Sequence, residues 1–309
     1  MKAAYKINQD FFKEWSSNMA YILGFTCADG CLYGRTLSWE LSNKYLSDRD
    51  ILINFNKVMS SNYPVKNRHS SFRLRISNPE ILKDIQQLGV VQNKTKILKF
   101  PIVPRGLISH FLRGFLDADG WIIATIKAKG TKEISVGFVN GSLDFMKALS
   151  DKIKEYIGIK NLHLRTHEKI SKEGIVSNYY SLEFYSDNAY KIIQFIYDGL
   201  TKDDIFLKRK FEKQLLAREF YNQTRSIKLY GRYWLDVEQK NNISMGALLN
   251  KLLNEGYIPR QIAIYFGVSL STLYRWLDKS RVRLLESRGS QEWIRKVLST
   301  RRQLKYGRV

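Results

Sequence analysis

Two aspartates carry the first chemical suggestion in this chain. Asp29 stands near the end of YILGFTCADG (21–30), and Asp119 holds the same place in FLRGFLDADG (111–120), 90 residues further on. Each segment spaces a glycine and an alanine four residues apart on one helix face: Gly24 with Ala28, and Gly114 with Ala118. Small residues at i and i+4 let two helix backbones approach closely. If the two helices pack on each other, their C-terminal ends meet and the two carboxylates lie side by side. Mutual repulsion and the negative ends of two helix dipoles both disfavour that arrangement. It makes sense where divalent cations supply the counter-charge. Hard oxygen ligands suit Mg²⁺, and adjacent metals suit in-line phosphodiester displacement. A lone Asp-Gly after a helix is ordinarily a turn, as expected for Asp198-Gly199. The matched pair is what sets Asp29 and Asp119 apart.

The elements around each echo also repeat. In the first copy the pattern predicts a helix from Gln9 to Ala28 and strand-like alternation over Thr36–Ser42. A helix over Asp48–Met59 follows, then strands at 65–69 and 72–77 and a helix opened by Asn78-Pro79. The second copy reads helix 106–118, strands near 121–127 and 133–139, helix 142–157, strands near 161–168 and 177–186, and helix 187–197. Each copy is therefore read as α-β-β-α-β-β-α, an α+β repeat.

The chain has 309 residues, 51 Lys+Arg against 29 Asp+Glu, and a net charge of +22, divided as +11 in residues 1–219 and +11 from Phe220 onward. Such an excess points to a polyanion, because each cation placed on a phosphate releases condensed counterions. At 44% hydrophobic the chain is no disordered basic tail. No apolar run reaches the ~18 residues of a membrane span, and MKAAYKINQDFFKEW carries no apolar signal stretch. The expectation is a soluble, intracellular protein, in a bacterial or phage-infected cytoplasm or an organelle matrix, with no membrane partner. Cys27 and Cys31 are too few for a disulfide framework or a four-ligand zinc site.

The alternating strands place apolar residues on one face and hydrogen-bonding residues on the other. The outward positions suit phosphates and base edges, and a twisted ribbon can enter a major groove. Candidate nucleic-acid contacts are Arg35, Ser38, Glu40, Lys66, Arg68, Arg73 and Arg75 in the first half, and Thr125, Lys127, Ser135, His163, Arg165 and Ser181 in the second.

ILGFTCADG (22–30) and LRGFLDADG (112–120) resemble the two motifs of the monomeric, two-repeat LAGLIDADG homing endonucleases. The resemblance covers about 1–219, in motif, spacing and repeat order. It implies a saddle of two pseudo-symmetric αββαββα repeats whose sheets straddle double-stranded DNA. It further implies metal-dependent, site-specific cleavage of a long asymmetric target. The family's metal-binding acid maps onto Asp29 and Asp119, with the Ala28 and Ala118 carbonyls as further candidate ligands. Mg²⁺ is the expected cofactor, Mn²⁺ an acceptable substitute, and Ca²⁺ an ion that binds without supporting cleavage. A basic residue near each scissile phosphate is also implied: Lys94 is chosen in the first repeat and Lys202 in the second, with Lys208 or Lys210 in reserve. The motif's earlier acid survives as Asp117 but is Cys27 in the first copy. The alternative on the same scaffold is an RNA maturase acting on its own intron RNA, or a DNA-binding regulator that does not cut.

The division expected is 1–100 for the first repeat with its linker, 101–219 for the second, and 220–309 for a basic linker and a DNA-binding domain. TRSIKLYGRYW (224–234) reads as a linker or extended arm. Beyond it, helices fit 244–255, a short segment after Pro259, and Leu270–Leu277, with Gly267 at the turn between the last two. This resembles a resolvase- or sigma-factor-type helix-turn-helix whose recognition helix carries Ser271, Thr272, Tyr274 and Arg275. Lys279, Arg281 and Arg283 extend its cationic end.

Overall fold

The computed structural model describes residues 5–127, 132–171, 174–228, 237–239, 242–280 and 282. Arg281, Arg283 and the basic segment after residue 290 lie outside the described residues. The chain divides into two compact units, Met1–Thr224 and Arg225–Val309.

The first unit begins with α1 (Ser17–Asp29), whose N-cap Ser16 accepts from the Met19 amide at 3.1 Å. The helix therefore starts later than Gln9. Phe11 and Phe12 mimic helical spacing but are buried from a turn. β1 (Gly30–Tyr33) and β2 (Thr36–Ser42) follow, then α2 (Arg49–Val58), β3 (Lys66–Asn67), β4 (Ser71–Ile76) and α3 (Pro79–Gln87). Asn78 caps α3 by accepting from the Glu80 and Ile81 amides, with Pro79 in the first turn. The second repeat runs α4 (Ile108–Asp119), β5 (Gly120–Ile126), β6 (Lys132–Asn140), α5 (Leu143–Ile157), β7 (Leu164–Ile170), β8 (Val176–Tyr185) and α6 (Ser186–Tyr197). Both repeats are thus αββαββα, and Gly199 takes the positive φ of a turn.

Each repeat forms a four-stranded antiparallel sheet, ordered β1-β2-β4-β3 and β5-β6-β8-β7. Period-2 alternation assigns the faces. Leu37, Trp39, Leu41, Phe72, Leu74 and Ile76 are buried on the first sheet, and Ile122, Ile134, Val136, Phe138, Leu182 and Phe184 on the second. α1 and α4 pack together between the repeats. A Cβ built on Gly24 would lie 2.0 Å from the Phe111 carbonyl oxygen, and one on Gly114 would lie 1.9 Å from that of Tyr21. The contact is reciprocal, because 21 and 24 match 111 and 114 at the repeat offset. Only a residue without a side chain allows this approach.

After α6 the chain forms α7 (Lys208–Lys228). Helix therefore covers Thr224–Lys228, where an arm was expected. The rest of that segment, 229–234, lies outside the described residues. Among the described residues no helix is long and apolar enough to cross a membrane.

The second unit contains α8 (Met245–Asn254), α9 (Pro259–Tyr265) and α10 (Leu270–Lys279). Met245, Leu249, Ile262, Leu273 and Trp276 are among its buried residues. Gly267 turns the chain at φ 62, and Ser269 caps α10 by accepting from the Thr272 amide at 3.1 Å.

Candidate active site at the paired helix ends

α1 and α4 end side by side, which brings the half-buried Asp29 and Asp119 carboxyls close enough to perturb each other. Burial pushes both upward, and Asp119 reaches about 7 because the charge of Asp29 adds to its desolvation. Near neutral pH the pair resists carrying two negative charges.

Two lysines flank the pair. Asn93 adopts left-handed φ 55, which asparagine tolerates, and the tight turn Lys94–Lys96 follows. Lys94 Nζ donates to the Ala28 carbonyl at 2.7 Å. On the other side, Lys210 Nζ donates to the Leu116, Asp117 and Gly120 carbonyls at 2.6, 2.7 and 2.7 Å. Burial lowers both ammonium groups, Lys210 to about 8. Lys94 and Lys210 each feel the negative charge of both aspartates.

Lys210 is aimed by a buried network. Asp117 accepts from the Tyr21 hydroxyl at 2.7 Å, the Leu207 amide at 2.7 Å and the Tyr197 hydroxyl at 3.4 Å. Arg113, fully buried, donates Nε to the Ile205 carbonyl at 2.9 Å and reaches Asp204 at 3.3 Å. Asp204 in turn accepts from the Thr201 amide and hydroxyl. These bonds fasten the loop before α7 onto α4, so that Lys210 enters one turn later. Arg209 beside it pairs with Asp48 at 3.0 Å.

The structure thus brings Asp29, Asp119, Ala28, Ala118 and Lys94 to one place. Lys202 is not there: it is exposed in the turn after α6, and Lys210 takes the expected position. Sequence spacing favoured Lys202 because it counts residues after the helix, whereas the stapled loop decides which lysine returns. The Ala28 carbonyl accepts from the Lys94 ammonium and keeps a second lone pair. Among the described residues no group of three or more His, Cys, Asp or Glu converges to hold a metal.

The open sheet faces hold most of the remaining candidates. Arg35, Lys66, Arg68, Arg75, Thr125, Lys127 and Arg165 are exposed, and Ser38 and Arg73 are half-buried. Glu40 is held by Arg73 and Ser71. Ser135 and Ser181 are corrections, because both are buried. Register puts Ser135 between Ile123 and Tyr185, and Ser181 spends its hydroxyl on His167 and Glu183. His163 is exposed but precedes β7, whereas His167, stacked on Tyr179 at 4.8 Å, went unnoticed in the sequence. On α10, Ser271, Tyr274 and Arg275 are exposed, while Thr272 is buried in the Ser269 cap.

Residues 240–280 match the family described as the helix-turn-helix domain of resolvase. A comparison with curated proteins gave no match. Among solved structures, the chain is similar to LAGLIDADG meganuclease I-AabMI bound to uncleaved DNA, at 14% identity and TM-score 0.47, over 67% of this chain and 91% of that one. Meganuclease I-SmaMI bound to uncleavable DNA gives 13% identity and TM-score 0.45, over 69% and 91% of the two chains. LAGLIDADG homing endonuclease I-GzeII in complex with its DNA target gives 9% and 0.45, over 68% and 92%. The repeat fold rests on this chain's own topology, and these likenesses add no residue roles to it.

Proposed function

We propose that the chain is a site-specific, divalent-metal-dependent DNA endonuclease. The observation that carries this reading is the half-buried Asp29–Asp119 pair, held at two helix C-termini and flanked by Lys94 and Lys210. Two carboxylates forced together are a cost to the fold. That cost has a purpose where cations take the place of the shared proton.

The donor set fits Mg²⁺, which commonly takes one or two carboxylates and fills its other positions with water and substrate phosphate. Asp29 and Asp119 would hold it, and when bound it supplies charge neutralisation and Lewis acidity at the phosphate. Lys94 and Lys210 stabilise negative charge developing at the scissile phosphate from fixed positions. The cationic open faces engage duplex DNA on either side, and the exposed Ser271, Tyr274 and Arg275 of α10 add contacts from the second unit. Sequence reading by the sheets gives site specificity; the chain acts as a monomer, its two repeats replacing two subunits.

The test starts from duplexes retained out of a random pool and incubates them with the full chain and Mg²⁺, Mn²⁺ or Ca²⁺. Cutting with Mg²⁺ or Mn²⁺, binding alone with Ca²⁺, and loss of cutting in Asp29→Asn and Asp119→Asn are expected. A chain that binds duplex tightly and never cuts it is a regulator, and the endonuclease reading falls.

A further inference from the structure

We propose that Gly141 and Ser142 of the second repeat are positioning residues for Lys94, which the first repeat carries. The proposal rests on the endonuclease reading above for its effect on rate, and on geometry alone for the placement of the ammonium.

Lys94 rides on a surface segment. Residues 91–93 and 95–97 are exposed, so burial of side chains does little to fix the turn that carries it. Within the turn, the Ile97 and Leu98 amides donate to the Lys94 carbonyl at 3.0 and 2.8 Å. Those bonds shape the turn without setting where it stands. A lysine stem is long and flexible, so a fixed ammonium needs a fixed backbone beneath it.

Two fastenings come from the corner between β6 and α5, in the second repeat. The Ser142 hydroxyl donates to the Leu98 carbonyl at 2.6 Å. Gly141 lies against Thr95, the middle residue of the Lys94–Lys96 turn. A Cβ on Gly141 would stand 2.7 Å from the Thr95 carbonyl oxygen and 2.8 Å from its Cγ2. The corner itself is stiff: Asn140 and Ser142 are buried, and the Asn140 side chain accepts from the Ser142 amide at 2.9 Å. Ser142 also caps α5 by accepting from the Phe145 amide at 3.3 Å. Between a buried corner and an exposed turn, it is the turn that yields to an added methyl.

The bracing is crossed. The loop ahead of Lys210 belongs to the second repeat and is held in part from the first. There Asn18 donates to the Asp203 carbonyl at 3.1 Å and accepts from the Ile205 amide at 3.3 Å. The docking of one repeat on the other therefore helps to place both lysines. Lys94 spends one N–H on the Ala28 carbonyl and keeps two, so a shift of its turn moves both donors together.

The experiment compares the full chain with Gly141→Ala and with Ser142→Gly, glycine being a mild replacement at an N-cap. Amide hydrogen exchange is read first, without metal. Exchange at Ile97 and Leu98 should quicken in both variants, while Gly89 and Val90, at the end of α3, stay parental. Single-turnover cleavage should fall by up to about 10²-fold, with affinity at saturating Ca²⁺ unchanged. In a Lys94→Met background neither variant should cost anything further, because the loss runs through that ammonium. Ser142→Thr keeps the hydroxyl donor and should restore parental exchange. Parental exchange at Ile97 and Leu98 in both variants, or a loss of cutting that persists undiminished in the Lys94→Met background, would overturn the proposal. Should Gly141→Ala fail to fold, Ser142→Gly against Ser142→Thr decides the same question. A parent that binds duplex and never cuts it sinks the endonuclease reading, and the exchange rates then decide the placement by themselves.

Discussion

The Tyr21 hydroxyl donates to Asp117 across the helix pair at 2.7 Å, tying a first-repeat helix to the second repeat's motif. The matching turn of α1 carries Cys27, buried, with its thiol pushed up to about 12 by burial. The paired helix ends are thus symmetric in backbone and asymmetric in polar wiring. Asp117 is the acceptor for two tyrosine hydroxyls and the Leu207 amide, whereas Cys27 is packed as a small apolar residue.

That asymmetry has a measurable cost. Asp117→Leu strands three buried donors and should lower stability by about 3–5 kcal/mol in urea denaturation. Tyr21→Phe removes one donor and should cost about 1–2 kcal/mol. Equal costs for the two variants would show that the network is not centred on Asp117.

The glycines of the helix pair lead to a second outcome. Gly24→Ala places a methyl 2.0 Å from a backbone oxygen that no rotamer change can move. The helices must separate, at about 1–3 kcal/mol or more, and the aspartates with them. Gly106→Ala, with no atom near its Cβ, is the control. A thermal melt of Gly24→Ala matching that control would contradict the close approach.

Much of this was legible in the sequence because the determinants are local. The Gly24/Ala28 and Gly114/Ala118 spacing, the Asn78-Pro79 start and the alternation of Phe72–Ser77 each state their own structure. What was missed depends on long-range contacts. β1 is only four residues long, too short for its alternation to stand out in the sequence. Helix α7 is basic and aromatic enough to read as an arm in its last turns, and nothing local says that Leu207 will be caught by Asp117. Hence Lys210, a reserve choice, stands where Lys202 was expected. Ser135 and Ser181 alternate outward correctly, yet their cross-strand neighbours bury them.

The acidic pair sets the pH dependence of the metal-free protein. The Asp119 carboxyl moves from an ordinary 3.8 to about 7 in the folded state. Between those values the folded chain keeps a proton that the unfolded chain releases, so stability falls as pH rises through the interval. Asp119→Asn removes the larger part of the dependence, leaving that of Asp29, and should exceed the parent in stability at pH 8, by up to ~4 kcal/mol, with the gap closing toward pH 4. Mg²⁺ should then stabilise the parent at pH 8 and leave the variant unmoved. Melting curves with and without Mg²⁺ measure both effects; a parent whose stability is flat from pH 4 to 8 would contradict the perturbed pair.

The two lysines should separate structural from chemical roles. Lys210 satisfies three carbonyls and Lys94 only one. Each buried acceptor left bare costs about 1–3 kcal/mol, so Lys210→Met should melt well below Lys94→Met. Lys210 spends its three N–H donors on carbonyls and acts on the scissile phosphate through charge alone, whereas Lys94 keeps two donors. Lys94→Met should therefore lose about 10²–10³ in single-turnover cleavage at a temperature where both variants are folded, and Lys210→Met less. Substrate affinity at saturating Ca²⁺ should change far less than the rate. A Lys94→Met chain that cuts at the parental rate would leave Lys94 with nothing beyond its bond to Ala28.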